Sequence, residues 1–97
     1  MKIHFLSAAK HDLRLGFHFY EEREPGLGSY FLESLYSDID SLLLFAGIHE
    51  IHFEKYYRAL SKRFPYAIYY TLSGEIIYIH AVIHCKREPQ WIKDKMN

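Results

Sequence analysis

The sequence predicts an α+β domain: a strand, a helical hairpin, then a three-stranded antiparallel meander, with both helices on one face of the sheet. Three observations carry this. Apolar residues recur at three- and four-residue spacing up to Gly47 and mostly alternate after it, a change from helical to strand period. Ser73-Gly74 sits between two β-rich runs, as a hairpin turn would. The chain has 97 residues, 49% hydrophobic and 25% charged, enough for one globular core and too few for a second.

Lys2 to Leu6 reads as a short strand, with Ser7 placed to cap the helix after it. That helix is expected from Ala8 to about Glu22, because Ala9, Leu13, Phe17 and Tyr20 share a face and Gly16 lets a neighbour approach closely. Glu24-Pro-Gly-Leu-Gly28 breaks the pattern. The stripe Leu27, Phe31, Leu35, Ile39, Leu42, Leu43 and Ala46 then predicts a longer helix, ended by Gly47. The short link makes the two helices an antiparallel hairpin.

Strands are expected over Lys55 to Arg63, Tyr66 to Leu72 and Glu75 to His84. A two-residue turn at Ser73-Gly74 would pair Tyr70 with Ile77 and Ile68 with Ile79. Strict alternation then puts Ile77, Ile79, Ala81 and Ile83 with Tyr66, Ile68 and Tyr70 against the helices. Ala67, Tyr69, Thr71, Tyr78, His80 and His84 fall on the opposite face, which no remaining element is expected to cover. That face is the expected working surface. The first strand is expected beside the last.

A single cysteine, Cys85, excludes an intrachain disulfide and a thiolate zinc site. The longest apolar run, Leu42 to Ala46, is far below the ~20 residues of a membrane span, and Met1 to Leu6 has no signal-peptide core. A cytoplasmic protein with no membrane contact is the expectation. Net charge is zero but polarised. Residues 1–54 carry four basic and nine acidic groups, a net of −5, and residues 55–97 carry eight basic and three acidic, a net of +5. Such an imbalance suits a polyanion or an acidic partner on the C-terminal half.

Seven histidines raise the question of a metal. His80 and His84 are four residues apart on a strand, about 13 Å, too far to share an ion. His49 and His52 lack a third ligand. No metal or cofactor is expected.

Three stretches together resemble the RelE/ParE superfamily of bacterial toxins from type II toxin-antitoxin modules: Tyr20-Glu-Glu-Arg-Glu-Pro-Gly-Leu-Gly28 with Phe31-Leu32, Arg63-Phe-Pro-Tyr-Ala-Ile-Tyr-Tyr70, and His84-x-x-Arg87-x-Pro89-x-Trp91. The resemblance covers nearly the whole chain. It implies growth arrest and silencing by a cognate antitoxin. RelE-like members cut messenger RNA in the ribosome, whereas ParE-like members poison DNA gyrase; the shared fold does not choose between them.

RNA cleavage through the 2′-hydroxyl needs a base, an acid and cations. His80 and His84 are the candidate proton carriers, with Arg58, Arg63, Lys86 and Arg87 to hold phosphate. RelE-like nucleases use a dense basic set and a tail tyrosine, and this chain has Tyr57-Arg58 and Trp91 instead, with no net charge. Non-catalytic, ParE-like inhibition is therefore the expected activity. Arg58, Arg63, His84, Arg87 and Trp91 are the expected target-binding residues, because arginine and aromatic anchors suit the centre of a protein interface.

Overall fold

The computed structural model describes all residues, 1–97. Its elements are β1 (Lys2–Phe5), α1 (Ser7–Arg23), α2 (Leu27–Asp40), α3 (Leu42–Phe45), β2 (Glu50–His52), β3 (Tyr56–Leu60), β4 (Tyr66–Ser73), β5 (Ile76–His84) and α4 (Pro89–Met96). The sheet runs β1-β5-β4-β3-β2. β1 lies parallel to β5 and the other pairs are antiparallel. The α+β class and the position of the first strand beside the last are as expected. A short fifth strand, β2, and the C-terminal helix α4 were not.

Helix α1 starts at Ser7 itself, without a side-chain cap, so Ser7 does not play its expected role. In the link to α2, the Glu21 carboxylate accepts the backbone N–H groups of Gly26 (3.0 Å) and Gly28 (3.0 Å), donors that a helix start leaves open. A Cβ on Gly28 would lie 2.6 Å from the Phe17 carbonyl oxygen, and one on Gly16 would lie 2.4 Å from the Phe31 ring. These two glycines let α1 and α2 pack at close range. The second helix breaks at Ser41, whose hydroxyl donates to the Asp38 carbonyl (2.6 Å) in competition with the helical ladder. The Asp38 side chain meanwhile holds the β3–β4 link, accepting from Ser61 Oγ (2.6 Å) and the Lys62 N–H (3.2 Å).

The main core lies between α1/α2 and one sheet face. Phe31, Leu35, Ile39, Leu42, Ile68, Tyr70, Ile77 and Ile79 are fully buried there. The buried Tyr70 hydroxyl accepts the Gly47 N–H (2.9 Å) and meets His49 Nδ1 at 2.5 Å, tying the end of the helical half to the sheet.

The β4–β5 register departs from the expectation. Leu72 pairs with Ile77 and Tyr70 with Ile79, because Gly74-Glu75, not Ser73-Gly74, form the turn. Gly74 takes a φ of 59°, which glycine tolerates. The pairing then shifts: Tyr69 faces Ala81 and Ile68 faces Val82, so His80 is the extra residue of a β-bulge. One inserted residue exchanges the faces of everything after it. Val82 joins the helix-side core, while Ala81 and Ile83 join Tyr56, Ala67, Tyr69 and Met96 in a second cluster on the far face. The expected placement of Ala81 and Ile83 against α1 and α2 is thus incorrect. That far face is also not bare, since α4 lays Ile92 and Met96 on it.

Candidate functional site

β1 ends where Phe5 pairs with Ile79 and the Leu6 N–H reaches the Ile79 carbonyl (3.0 Å). Beyond that point the outer edge of β5 has no neighbouring strand, and its backbone donors need other partners. Asp12 of α1, only 5% exposed, provides one: its Oδ2 accepts the Val82 N–H at 3.0 Å. Its other oxygen is bound by Lys95 from α4. One carboxylate therefore joins α1, the open edge of β5 and α4.

Pro89 occupies the first turn of α4, where its fixed φ fits and its missing N–H costs nothing. Tyr56 pins the other end by donating its hydroxyl to the Met96 carbonyl (2.9 Å). Between α4 and α1 lies a groove of about 620 Å³, lined among others by Leu15, Phe19, Tyr66, His84, Arg87 and Trp91. Leu15, Phe19 and Trp91 are exposed apolar side chains. The Arg87 guanidinium lies 4.4 Å from the Trp91 ring centroid and Lys95 Nζ 5.5 Å from it, so the indole is held by cations.

His84 accepts the Lys86 N–H at Nδ1 (3.0 Å), which leaves its ring proton on Nε2, and it meets the Tyr66 ring edge-on at 5.1 Å. Burial, with Lys86 and Arg87 nearby, lowers its pKa below the ordinary histidine value. The imidazole is therefore neutral at pH 7. Burial, reinforced by the Tyr20 hydroxyl, pushes Tyr66 up to about 12, so it stays protonated. Neither Lys86 nor Arg87 has a carboxylate partner, while Lys95 is committed to Asp12. The groove thus combines an apolar floor with unneutralised positive charge, the makings of a docking surface.

Of the five expected target-binding residues, His84, Arg87 and Trp91 meet in this groove. Arg58 does not. It stands on the far face of the sheet, its Nε donating to the Tyr69 hydroxyl (3.3 Å) and its Nη2 3.9 Å from Cys85 Sγ. Arg63 lies in the β3–β4 link, 5.9 Å from the Tyr30 ring centroid. The two candidate proton carriers also part company. His80, in the bulge, bonds Thr71 Oγ1 (2.8 Å) and packs edge-on against Tyr56 of the far-face cluster, whereas His84 opens into the groove beside α1. The expectation that both share one face is incorrect, and the bulge is the reason. His80 has a lowered pKa too, from burial and then from Lys55.

Asp12, Lys95, Leu15 and Phe19 escaped the sequence reading. Asp12 left a signal: it falls three residues after Ala9 and one before Leu13, a carboxylate on the buried stripe of a helix, and such groups are almost never buried unpaired. No three His, Cys, Asp or Glu side chains stand close enough to hold a metal ion. No helix is long and apolar enough to cross a membrane.

No family model matches the chain, and no curated protein matches it in sequence. Among solved structures, it superposes on a chain of the chromosomal ParDE TA system from P. aeruginosa with a TM-score of 0.80. The match covers 89% of this chain and 97% of that one, at 14% sequence identity. The fold is ParE-like. At this identity the likeness speaks for architecture, and it agrees with the fold that the three sequence stretches implied. In this fold the groove lies where the sheet edge, the first helix and the C-terminal helix converge.

Proposed function

We propose that the chain is the toxin of a type II toxin-antitoxin module, arresting growth by binding an essential target and neutralised by a cognate antitoxin, with DNA gyrase favoured as the target. The fold supports the toxin assignment. The observation that favours binding over catalysis is the separation of His80 from His84 on opposite faces of the sheet. A ribonuclease needs a base and an acid on either side of one phosphate. Two histidines line the groove, His84 and His11 of α1; His84 is neutral among cations, and its Nδ1 is occupied by the Lys86 N–H. Arg87 and Trp91 act as the anchors for the target, with His84 supporting the segment that carries them.

The competing reading is a ribosome-dependent messenger-RNA endonuclease, in which Lys86 and Arg87 hold phosphate. Expression of the chain in bacteria tests the two together. Growth arrest with trapped gyrase cleavage complexes, abolished by Arg87→Glu with Trp91→Ala and largely kept by His80→Gln with His84→Gln, is the expected result. Codon-phased cuts in translated messenger RNA that vanish in the histidine double variant would establish the nuclease instead. The antitoxin is expected from the neighbouring gene, and co-expression with it should relieve the arrest.

A further inference from the structure

The largest exposed apolar side chains outside the groove gather at the opposite end of the sheet. Leu43, Leu44, Phe45 and Ile48 project from α3 and the turn after it, with Leu44 83% and Ile48 75% exposed. Ile51 of β2 and Leu60 of β3 are exposed as well. Phe45, Ile48 and Leu60 border one shared hollow. Large apolar patches on a small protein mark interfaces. The patch leads directly into β2, Ile48 standing two residues before Glu50, and β2 is the last strand of the sheet, pairing with nothing beyond β3. A bare strand edge is a template for another strand.

The three residues of β2 are two-sided. Ile51 is opposite Tyr57, which stacks on Tyr70 of the main core, so Ile51 belongs to the helix-side face along with the apolar patch. Glu50 and His52 belong to the far face, where His52 Nε2 lies 3.0 Å from Glu50 Oε1. Antiparallel pairing of two copies about a two-fold axis at Ile51 sets Ile51 against Ile51 of the second copy. The same axis sets each Glu50 against the other copy's His52. The edge is thus complementary to itself in hydrogen bonding, imidazole against carboxylate, and in hydrophobicity, as an isologous dimer interface must be.

We propose that the chain forms a homodimer through β2, joining two five-stranded sheets into one and burying the patch of Leu44, Phe45, Ile48 and Ile51 between the copies. The dimer leaves the groove at the far end of each sheet open, and it does not depend on the toxin reading.

Analytical ultracentrifugation of the full chain over a dilution series tests it. The expected result is a concentration-dependent dimer. Ile48→Glu and Leu44→Glu, at side chains exposed enough to change without harming the fold, should each yield a monomer with an unchanged circular-dichroism spectrum. Glu50→Lys should weaken dimerisation about tenfold, and the exchange Glu50→Lys with His52→Glu should restore it, because the symmetric cross-strand pairs are rebuilt with donor and acceptor exchanged. A wild-type chain that stays monomeric at the highest concentration would overturn the proposal and leave the patch to a different protein. So would a dimer that Ile48→Glu and Leu44→Glu leave intact.

Discussion

The two faces of the sheet are built on different terms. The helix-side face is sealed by α1 and α2 over thirteen buried residues, with rings and aliphatic chains in direct contact. The far face has six, covered by the eight-residue α4, which is held by the Asp12–Lys95 pair and by Tyr56, and by Phe53 from the β2–β3 turn. The first is a core by area, since burial of each large apolar side chain is worth roughly 1.5–3 kcal/mol. The second is a small apolar seam closed by polar fastenings. Function is expected beside the second because a helix held by a few bonds leaves open edges and cations at its margins, whereas a sealed core leaves none.

Ile79→Asp gives the largest expected effect. It sets an unpaired charge in the helix-side core and should cost about 3–5 kcal/mol, whereas Tyr78→Asp, on the partly exposed side, should cost under about 1 kcal/mol. Chemical denaturation of both variants checks this, and equal losses would show that the faces do not differ as described.

Asp12→Ala comes next. It leaves the Val82 N–H and Lys95 without their acceptor, an expected loss of about 2–3 kcal/mol. Asp12→Asn, which can still accept from Val82, should lose less. Hydrogen exchange should show the Ala variant loosening α4 and the end of β5 ahead of the α1/α2 side. Uniform loosening would mean that α4 is not the separately fastened element.

The smallest effect is the response to pH. His49, His80 and His84 all have pKa values lowered mainly by burial, so the unfolded chain binds more protons than the folded one once pH falls below about 6.5. Their contribution to stability is complete above that pH and declines as pH falls through the ordinary histidine range toward the lowered values. Melting temperatures are expected to fall between pH 7 and pH 5, with a shallower decline in His84→Gln. His80→Gln should behave likewise from the far face, which makes the pair a comparison of the two sides.

Much of this architecture was legible in the chain. The stripe of α2, the stop at Gly47 and the alternation of β4 and β5 up to Ile79 are local patterns, each set by which side chains must leave water together. Of the candidate site, His84, Arg87 and Trp91 were legible because they sit in one short tail and stay together however it folds. Arg58 and Arg63 were not, since strand pairing with β4 positions the first and the β3–β4 link carries the second toward Tyr30 of α2.

What the sequence determined by itself was the order and type of its main elements, one apolar side on each, and a basic C-terminal half. The tertiary structure alone decided which side of β5 faces the helices after Ile79. Alternation runs unbroken through His80, so nothing local marks the bulge; it appears only once β4 supplies a register. Tertiary structure also decided the use of Asp12, whose role follows from β1 ending before β5 does and leaving the Val82 N–H without a strand partner. Periodicity records what each residue avoids, which is water. It carries no record of which backbone donor, seventy positions further along, a buried carboxylate will meet.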